Sequence, residues 1–89
     1  MVRRKVELVN RLGLHARAAA KLVHLTSTFD AEIQVGHDEE EVNGKSILGL
    51  LLLAAPCGST LTIIADGSDE DRAVEAVEQL IRERFGESE

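Results

Sequence analysis

The segment that decides the fold is Asn10-Arg11-Leu12-Gly13-Leu14-His15-Ala16-Arg17-Ala18-Ala19-Ala20-Lys21-Leu22-Val23. It joins a strand-like run, which Gly13 ends, to an alanine-rich run from Ala16 that strongly favours a helix. Helices normally begin after Ser, Thr, Asp or Asn, whose side chains accept hydrogen bonds from the first free N–H groups. The residue at that position here is His15. The junction therefore predicts a helix that a histidine caps.

The predicted helix start is a candidate phosphate site. The N–H groups of Ala16, Arg17 and Ala18 have no obvious side-chain acceptor, and free N–H groups at a helix N-terminus attract anions. Neutral imidazole is a nucleophile, and the positive helix end disfavours imidazolium. Arg17 can bind phosphate oxygens by charge-assisted hydrogen bonds. These residues predict a covalent phosphoryl group on His15, and they leave open that His15 is an ordinary surface histidine in a loop.

Length and composition limit the class of protein. The 89 residues, 44% of them apolar, are enough for one small domain spanning 1–89 with an aliphatic core, because only Phe29 and Phe85 are aromatic. A net charge of −6 argues against nucleic acid as a partner. The single cysteine, Cys57, suits a reducing compartment, and the chain has neither a signal segment nor an apolar run that could span a bilayer. We therefore expect a cytoplasmic protein that does not contact a membrane.

The spacing of apolar residues predicts strands and helices in the order β-α-β-β-α-β-α. The expected strands are Val2–Val9, Phe29–Val35, Glu40–Val42 and Thr60–Ala65. The expected helices are Ala16–Ser27, Ile47–Ala55, and a last helix that follows a capping box at Ser68–Asp71 and runs to about Phe85. Three helices on one face of a four-stranded, mostly antiparallel sheet make a two-layer α+β fold. The tail Glu87-Ser88-Glu89 is expected to be frayed.

Two helices have a predicted inner face. The first is expected to place small residues against the sheet, namely Ala16, Ala19, Ala20, Val23 and Ser27. The last carries apolar residues three and four positions apart, namely Ala73, Val74, Val77, Leu80, Ile81 and Phe85.

The middle helix is too apolar to be buried on one side only. Ser46 is a good N-cap, and Leu50, Leu53 and Ala54 are expected to face inward. The outward side then carries a set that we call the apolar patch: Ile47, Leu48, Leu51 and Leu52. Such a patch indicates a protein contact, although a loop or a second copy of the chain could also cover it. The run Gly44-Lys45-Ser46 is not a nucleotide-binding loop, because Glu39 stands where that motif needs glycine.

Two motifs in this chain resemble the HPr family, the histidine-containing phosphocarriers of the bacterial phosphoenolpyruvate-dependent phosphotransferase system. Gly13-Leu14-His15-Ala16-Arg17 is similar to the family's active-site signature. Asn43-Gly44-Lys45-Ser46-Ile47 is similar to its regulatory-serine signature, and no gap separates the two. The resemblance covers about Val2 to Phe85.

The resemblance implies a fold and a set of roles. The family fold is an open-faced sandwich of four antiparallel strands and three helices. His15 would accept a phosphoryl group on Nδ1 from phospho-Enzyme I and pass it to Enzyme II A-domains, and Arg17 would steady the phosphate. Ser46 would be the target of HPr kinase/phosphorylase, and Ile47, Leu48 and Leu51 would be docking positions. The protein would be a carrier without a cofactor and not an enzyme, most simply a monomer.

The sequence departs from the family pattern in ways that keep a second function open. Ala18 replaces the usual proline after the active-site arginine, and basic residues usual near the docking face are replaced by His24, Ser27 and Gly49. Weaker electrostatic steering leaves the partner undetermined. The alternative is a regulatory HPr-like module that acts mainly through Ser46 phosphorylation. A metal site is disfavoured, because the candidate ligands His15, His24, His37 and Cys57 share no ligand spacing.

Overall fold

The computed structural model describes residues 1–89, and its elements follow the predicted order. The strands are β1 (Val2–Glu7), β2 (Glu32–His37), β3 (Glu40–Asn43) and β4 (Thr60–Asp66). The helices are α1 (Ala16–Thr26), α2 (Ile47–Leu53) and α3 (Glu70–Arg82), followed by a 3₁₀ turn at Arg84–Gly86. None of the helices combines the length with the apolar composition that spanning a bilayer requires.

The strands form one antiparallel sheet in the order β1-β4-β2-β3. Alternate residues face the helices, so Val6 pairs with Leu61 and Val35 pairs with Ile63, all four buried. The predicted two-layer α+β fold, an open-faced sandwich with three helices, is confirmed. β2 lies later than predicted, because His37 still pairs with Glu40 and only two residues form the hairpin turn.

The buried face of α1 differs from the prediction. Its buried residues are Ala18, Ala19, Leu22 and Thr26, whereas Ala16, Ala20 and Ser27 are exposed. The buried stripe is turned so that Leu22, the largest aliphatic side chain among these positions, enters the core. Thr26 is completely buried because its hydroxyl donates to Val23 O and Gly44 O at 3.2 and 2.8 Å.

Helix α2 has the predicted cap and inner face but a different end. The Ser46 hydroxyl accepts from Gly49 N at 3.0 Å, and Leu50 and Leu53 are buried. The helix stops at Leu53, because Ala54 takes a left-handed backbone with φ of 50°. This turn exposes Ala54 and buries Ala55 instead, so the inward placement of Ala54 is wrong.

Helix α3 begins one residue later than the predicted capping box requires. Asp69 occupies the N-cap, and its carboxylate accepts from the backbone N–H groups of Asp30 and Ala31 at 2.9 and 2.8 Å instead of capping the helix. The Glu70 carboxylate accepts from Gly67 N at 3.1 Å, so no reciprocal capping box forms. The start of α3 is thereby joined to the start of β2.

The chain turns sharply after α3. Arg84, Phe85 and Gly86 all have left-handed φ angles, of 59°, 55° and 79°. This conformation is costly for residues with a Cβ. Burial of Phe85, which is 1% exposed, and a 2.7 Å hydrogen bond from Lys21 Nζ to Phe85 O offset that cost. The turn directs the last residues back across the start of α1.

Helices α1 and α2 are tethered to each other at both ends. The N–H of Leu14, just before α1, donates to Ala55 O, just after α2, at 2.9 Å. At the other end, the Thr26 hydroxyl reaches Gly44 O. The two helices therefore run antiparallel, and the end of α2 lies beside His15.

Candidate phosphoryl site at the start of helix α1

His15 is the N-cap of α1, as predicted. Its backbone is extended, with φ of −83° and ψ of −179°, and its Nδ1 accepts from Arg17 N at 3.3 Å. The prediction that the Arg17 N–H lacks a side-chain acceptor is therefore wrong. The imidazole nitrogen accepts this hydrogen bond, as the side-chain oxygen of Ser or Asp does in other helices. The contact places Nδ1 at the positive end of the helix.

The tail that was predicted to fray lies against His15. The Glu87 Oε2 atom is 2.5 Å from His15 Nε2, and Glu87 Oε1 accepts from Asn10 Nδ2 at 3.0 Å. Asn10 is completely buried and also donates to Gly13 O at 2.7 Å. Arg11 binds Glu89 through its backbone N–H at 3.0 Å and its side chain at 2.8 Å. The tail is therefore held by these contacts along one side of the site, and the predicted fraying is not seen.

These contacts favour one tautomer of the neutral His15 ring. A backbone N–H can only donate, so the contact with Arg17 N favours an unprotonated Nδ1. An ionised carboxylate can only accept, so the contact with Glu87 favours a proton on Nε2. In the neutral ring the two partners therefore favour the same tautomer, with its free lone pair on Nδ1.

The charge of Glu87 is consistent with this assignment. Burial of the carboxyl raises its pKa, but hydrogen bonds from His15 and Asn10, together with the nearby charge of Lys21, outweigh burial. The pKa of Glu87 is therefore lower than its ordinary value. Its carboxylate is ionised at neutral pH.

His15 opens onto a shallow cleft. The cleft is lined by Arg11, Leu12, His15, Ala16, Arg17 and the tail Glu87–Glu89. Arg17 is exposed, and its guanidinium makes no hydrogen bond or salt bridge. The donors of the Arg17 side chain are therefore free for an anion in the same cleft.

Gly13 fixes the loop that carries His15. Its φ is +68°, and a Cβ there would lie 2.5 Å from Ala55 O and 2.9 Å from Pro56 Cα. Only glycine fits this close approach of two backbones. The Gly13 carbonyl also accepts from His15 N at 3.0 Å, so the turn sets the direction of the cap residue.

The apolar patch is exposed as predicted. Ile47, Leu48, Leu51 and Leu52 are 43%, 68%, 36% and 68% exposed. Leu12, which the sequence pattern did not single out, is 60% exposed and lines the His15 cleft. The end of α2 that carries Leu51 and Leu52 is the end on the His15 side, because Ala55 O just after it accepts from Leu14 N.

Ser46 and His15 lie at opposite ends of the α1–α2 pair. Ser46 precedes α2, whose start is tethered to the end of α1, whereas His15 precedes α1 and the chain after α2 is bonded to Leu14. Helix α2, which separates the two predicted phosphorylation sites, has seven residues and spans about 10 Å at 1.5 Å per residue. No group of three or more His, Cys, Asp or Glu side chains could hold a metal ion.

The sequence matches a family model described as PTS HPr component, phosphorylation site, over residues 2–83. The chain belongs to the HPr family, the phosphocarrier proteins of the phosphotransferase system. It is 45% identical over 89 residues to phosphocarrier protein HPr of Cupriavidus necator, and covers 100% of both chains.

Solved structures of HPr have the same fold. HPr-C-His from Thermoanaerobacter tengcongensis superimposes with a TM-score of 0.96 at 39% identity, covering 100% of both chains. A structure of an HPr dimer from the same bacterium superimposes with a TM-score of 0.78 at 40% identity, covering 98% of this chain and 100% of that one.

Proposed function

We propose that the chain accepts a phosphoryl group on His15 Nδ1 from phospho-Enzyme I and passes it to Enzyme II A-domains. The observation that carries this proposal is the pair of contacts on the His15 ring, which favours an unprotonated Nδ1 at the N-terminus of α1. A nucleophilic nitrogen and donors for phosphate oxygens are then at the same place.

In the proposed transfer, the Nδ1 lone pair attacks the phosphorus of the phosphorylated donor. The new N–P bond forms as the donor's own bond to phosphorus breaks, and the donor atom keeps that electron pair. The Arg17 N–H is then released from Nδ1 to a phosphoryl oxygen, together with the free Arg17 guanidinium. The second transfer reverses these steps on another partner, so the protein is a carrier and not an enzyme.

The apolar patch is the proposed docking surface for both partners. It follows α2 towards His15, and Leu12 extends it to the edge of the cleft. A surface of this kind excludes water from the phosphoryl group while partners exchange it. A carrier that uses one face for every partner needs that face free, and we propose a cytoplasmic monomer as the working form.

Ser46 is the proposed regulatory site, phosphorylated by HPr kinase/phosphorylase. Phosphate there would add about two negative charges beside Ile47 and Leu48 at one end of the patch. Since Ser46 and His15 lie at opposite ends of the α1–α2 pair, the added charge would act on docking and not through contact with the imidazole. This placement is also what favours the alternative function, a regulatory module that acts mainly through phosphoserine.

Intact mass after incubation with phosphoenolpyruvate and Enzyme I tests the carrier function. We expect one added phosphate that mild acid removes, as for a phosphoramidate on histidine. His15→Ala should abolish the labelling, and His24→Ala is the matched control, because His24 is an exposed histidine of the same helix.

Two outcomes would contradict the proposal. Full labelling of the His15→Ala variant would show that another residue carries the phosphate. Absence of labelling in the unmodified chain, with an acid-stable phosphate only after ATP and the kinase, would favour the regulatory module.

A further inference from the structure

The Glu87 side chain is held in a largely buried position beside Nε2 of the His15 ring. Its side chain is 15% exposed, and each carboxylate oxygen has one partner, His15 Nε2 and Asn10 Nδ2. Asn10 is 0% exposed, so the second contact is anchored in the protein interior. The left-handed turn at Arg84–Gly86 directs the chain to this position. These contacts fix the orientation of the imidazole ring through its Nε2 edge and do not involve the Nδ1 edge.

We propose that Glu87 is the positioning residue of His15: it holds the proton on Nε2, so that Nδ1 presents its lone pair to the incoming phosphoryl group. This role rests on the phosphoryl-carrier function proposed above. Glu87 does not occupy the phosphate site, because it lies on the Nε2 edge of the ring, whereas the helix N–H groups lie on the Nδ1 edge.

The carboxylate has a further effect once Nδ1 carries phosphorus. Attack on phosphorus uses the Nδ1 lone pair while Nε2 keeps its proton, so the ring gains positive charge. Glu87 balances that charge at the Nε2–H group, and no proton has to leave for the transfer to occur. The other charged groups around the cleft are Arg11, Arg17, Lys21 and Glu89. Among these groups and Glu87, only Glu87 contacts Nε2.

Glu89 provides a matched control. It lines the same cleft and carries the same charge, but its partner is Arg11 and not the imidazole. Glu87→Ala and Glu89→Ala remove equal charge from the same tail. Any difference between the two variants therefore reports the contact with His15.

The first test needs no phosphoryl donor. Long-range ¹H–¹⁵N spectra of the His15 ring at neutral pH distinguish a protonated from an unprotonated nitrogen. We expect the Nε2–H form in the unmodified chain and in Glu89→Ala, and a mixture of tautomers in Glu87→Ala. Glu87→Gln preserves size but has one acceptor oxygen for two donors, so it should be intermediate.

The second test measures the reactivity of the ring without a protein partner. Phosphoramidate transfers its phosphoryl group to imidazole nitrogen as its own N–P bond breaks and ammonia leaves. Intact mass against time should show labelling of Glu87→Ala about tenfold slower than that of Glu89→Ala, by analogy with the loss seen when the carboxylate partner of a metal-bound imidazole is removed.

The outcomes separate this inference from the carrier function. Equal tautomers and equal phosphoramidate rates in the two alanine variants would overturn the positioning role, and faster labelling of Glu87→Ala would show that the carboxylate repels phosphate. Both tests omit Enzyme I. A chain that reacts as expected with phosphoramidate but not with phosphoenolpyruvate and Enzyme I would retain the role of Glu87 while contradicting the proposed donor.

Discussion

Replacing Gly13 by alanine should destabilise the fold more than any change in the exposed part of the His15 loop. Alanine costs about 1–2 kcal/mol in a left-handed backbone, and φ at Gly13 is +68°. The new Cβ would also lie 2.5 Å from Ala55 O, so the two backbones must separate. Separation stretches the 2.9 Å hydrogen bond from Leu14 N to Ala55 O, which adds about 1–2 kcal/mol. We expect a total loss of about 3 kcal/mol.

Gly58→Ala separates the two contributions. Its φ is +92°, and a Cβ there would meet no heavy atom within 4 Å. This variant should lose only the backbone cost of about 1–2 kcal/mol. The difference between the two alanine variants therefore measures the close approach of Gly13 to the chain after α2.

Urea unfolding followed by far-UV circular dichroism is the suitable assay, because the chain has no Trp or Tyr for fluorescence. Free energies of unfolding should fall in the order unmodified chain, Gly58→Ala, Gly13→Ala, with similar dependence on urea. A Gly13→Ala variant no less stable than Gly58→Ala would refute the reasoning. It would mean that the loop before α1 can move away from the loop after α2 without cost.

Two further changes test other parts of the structure. The pKa of Asp69 lies below its ordinary 3.8, mainly because the Asp30 N–H donates to its carboxylate. A carboxyl whose pKa is lowered in the folded state contributes stability at neutral pH, and this contribution is lost as pH falls below about 4. Asp69→Asn should therefore lower the urea midpoint at pH 7 and make the midpoint fall less steeply in acid. Parallel curves of midpoint against pH for the two chains would contradict this. Ser46→Asp keeps a good N-cap but should slow phosphorylation by Enzyme I while leaving phosphoramidate labelling unchanged, and equal slowing of both would place its effect on His15 itself.

Features that depend on neighbours in sequence could be predicted. The alternation in β1 and the two sides of α2 from Ile47 to Leu53 follow from local periodicity, the cap at His15 follows from the residue at the junction, and the structure has all three. The phase of α1 could not be predicted, because a run of alanines gives little contrast between its faces. The observed phase buries Leu22 in the core and allows the Thr26 hydroxyl to bond to Gly44 O across the fold.

Only the part of the candidate site that lies at the start of α1 was predicted from the sequence; the part formed by the C-terminal tail was not. His15 and Arg17 lie within the junction itself, and their chemistry follows from the helix end. Glu87 is 72 positions from His15, and nothing in Glu87-Ser88-Glu89 has a period or a motif that indicates burial. Likewise, Ser68 was predicted to begin α3, but the partners of Asp69 are at residues 30 and 31. Contacts between distant segments are set by tertiary packing, which local patterns do not contain.

The tethers at both ends of the α1–α2 pair have a consequence for exchange between partners. Hydrogen bonds at Leu14 and Thr26 join the two helices at both ends, so we expect the pair to move as one unit. The proposed phosphoryl atom and the proposed docking residues would then keep a similar separation in each complex, and little conformational entropy would be lost when one partner replaces another. Under the proposed function, successive partners are expected to fit this single surface, and discrimination among them is expected to reside in their surfaces and not in rearrangement of the carrier.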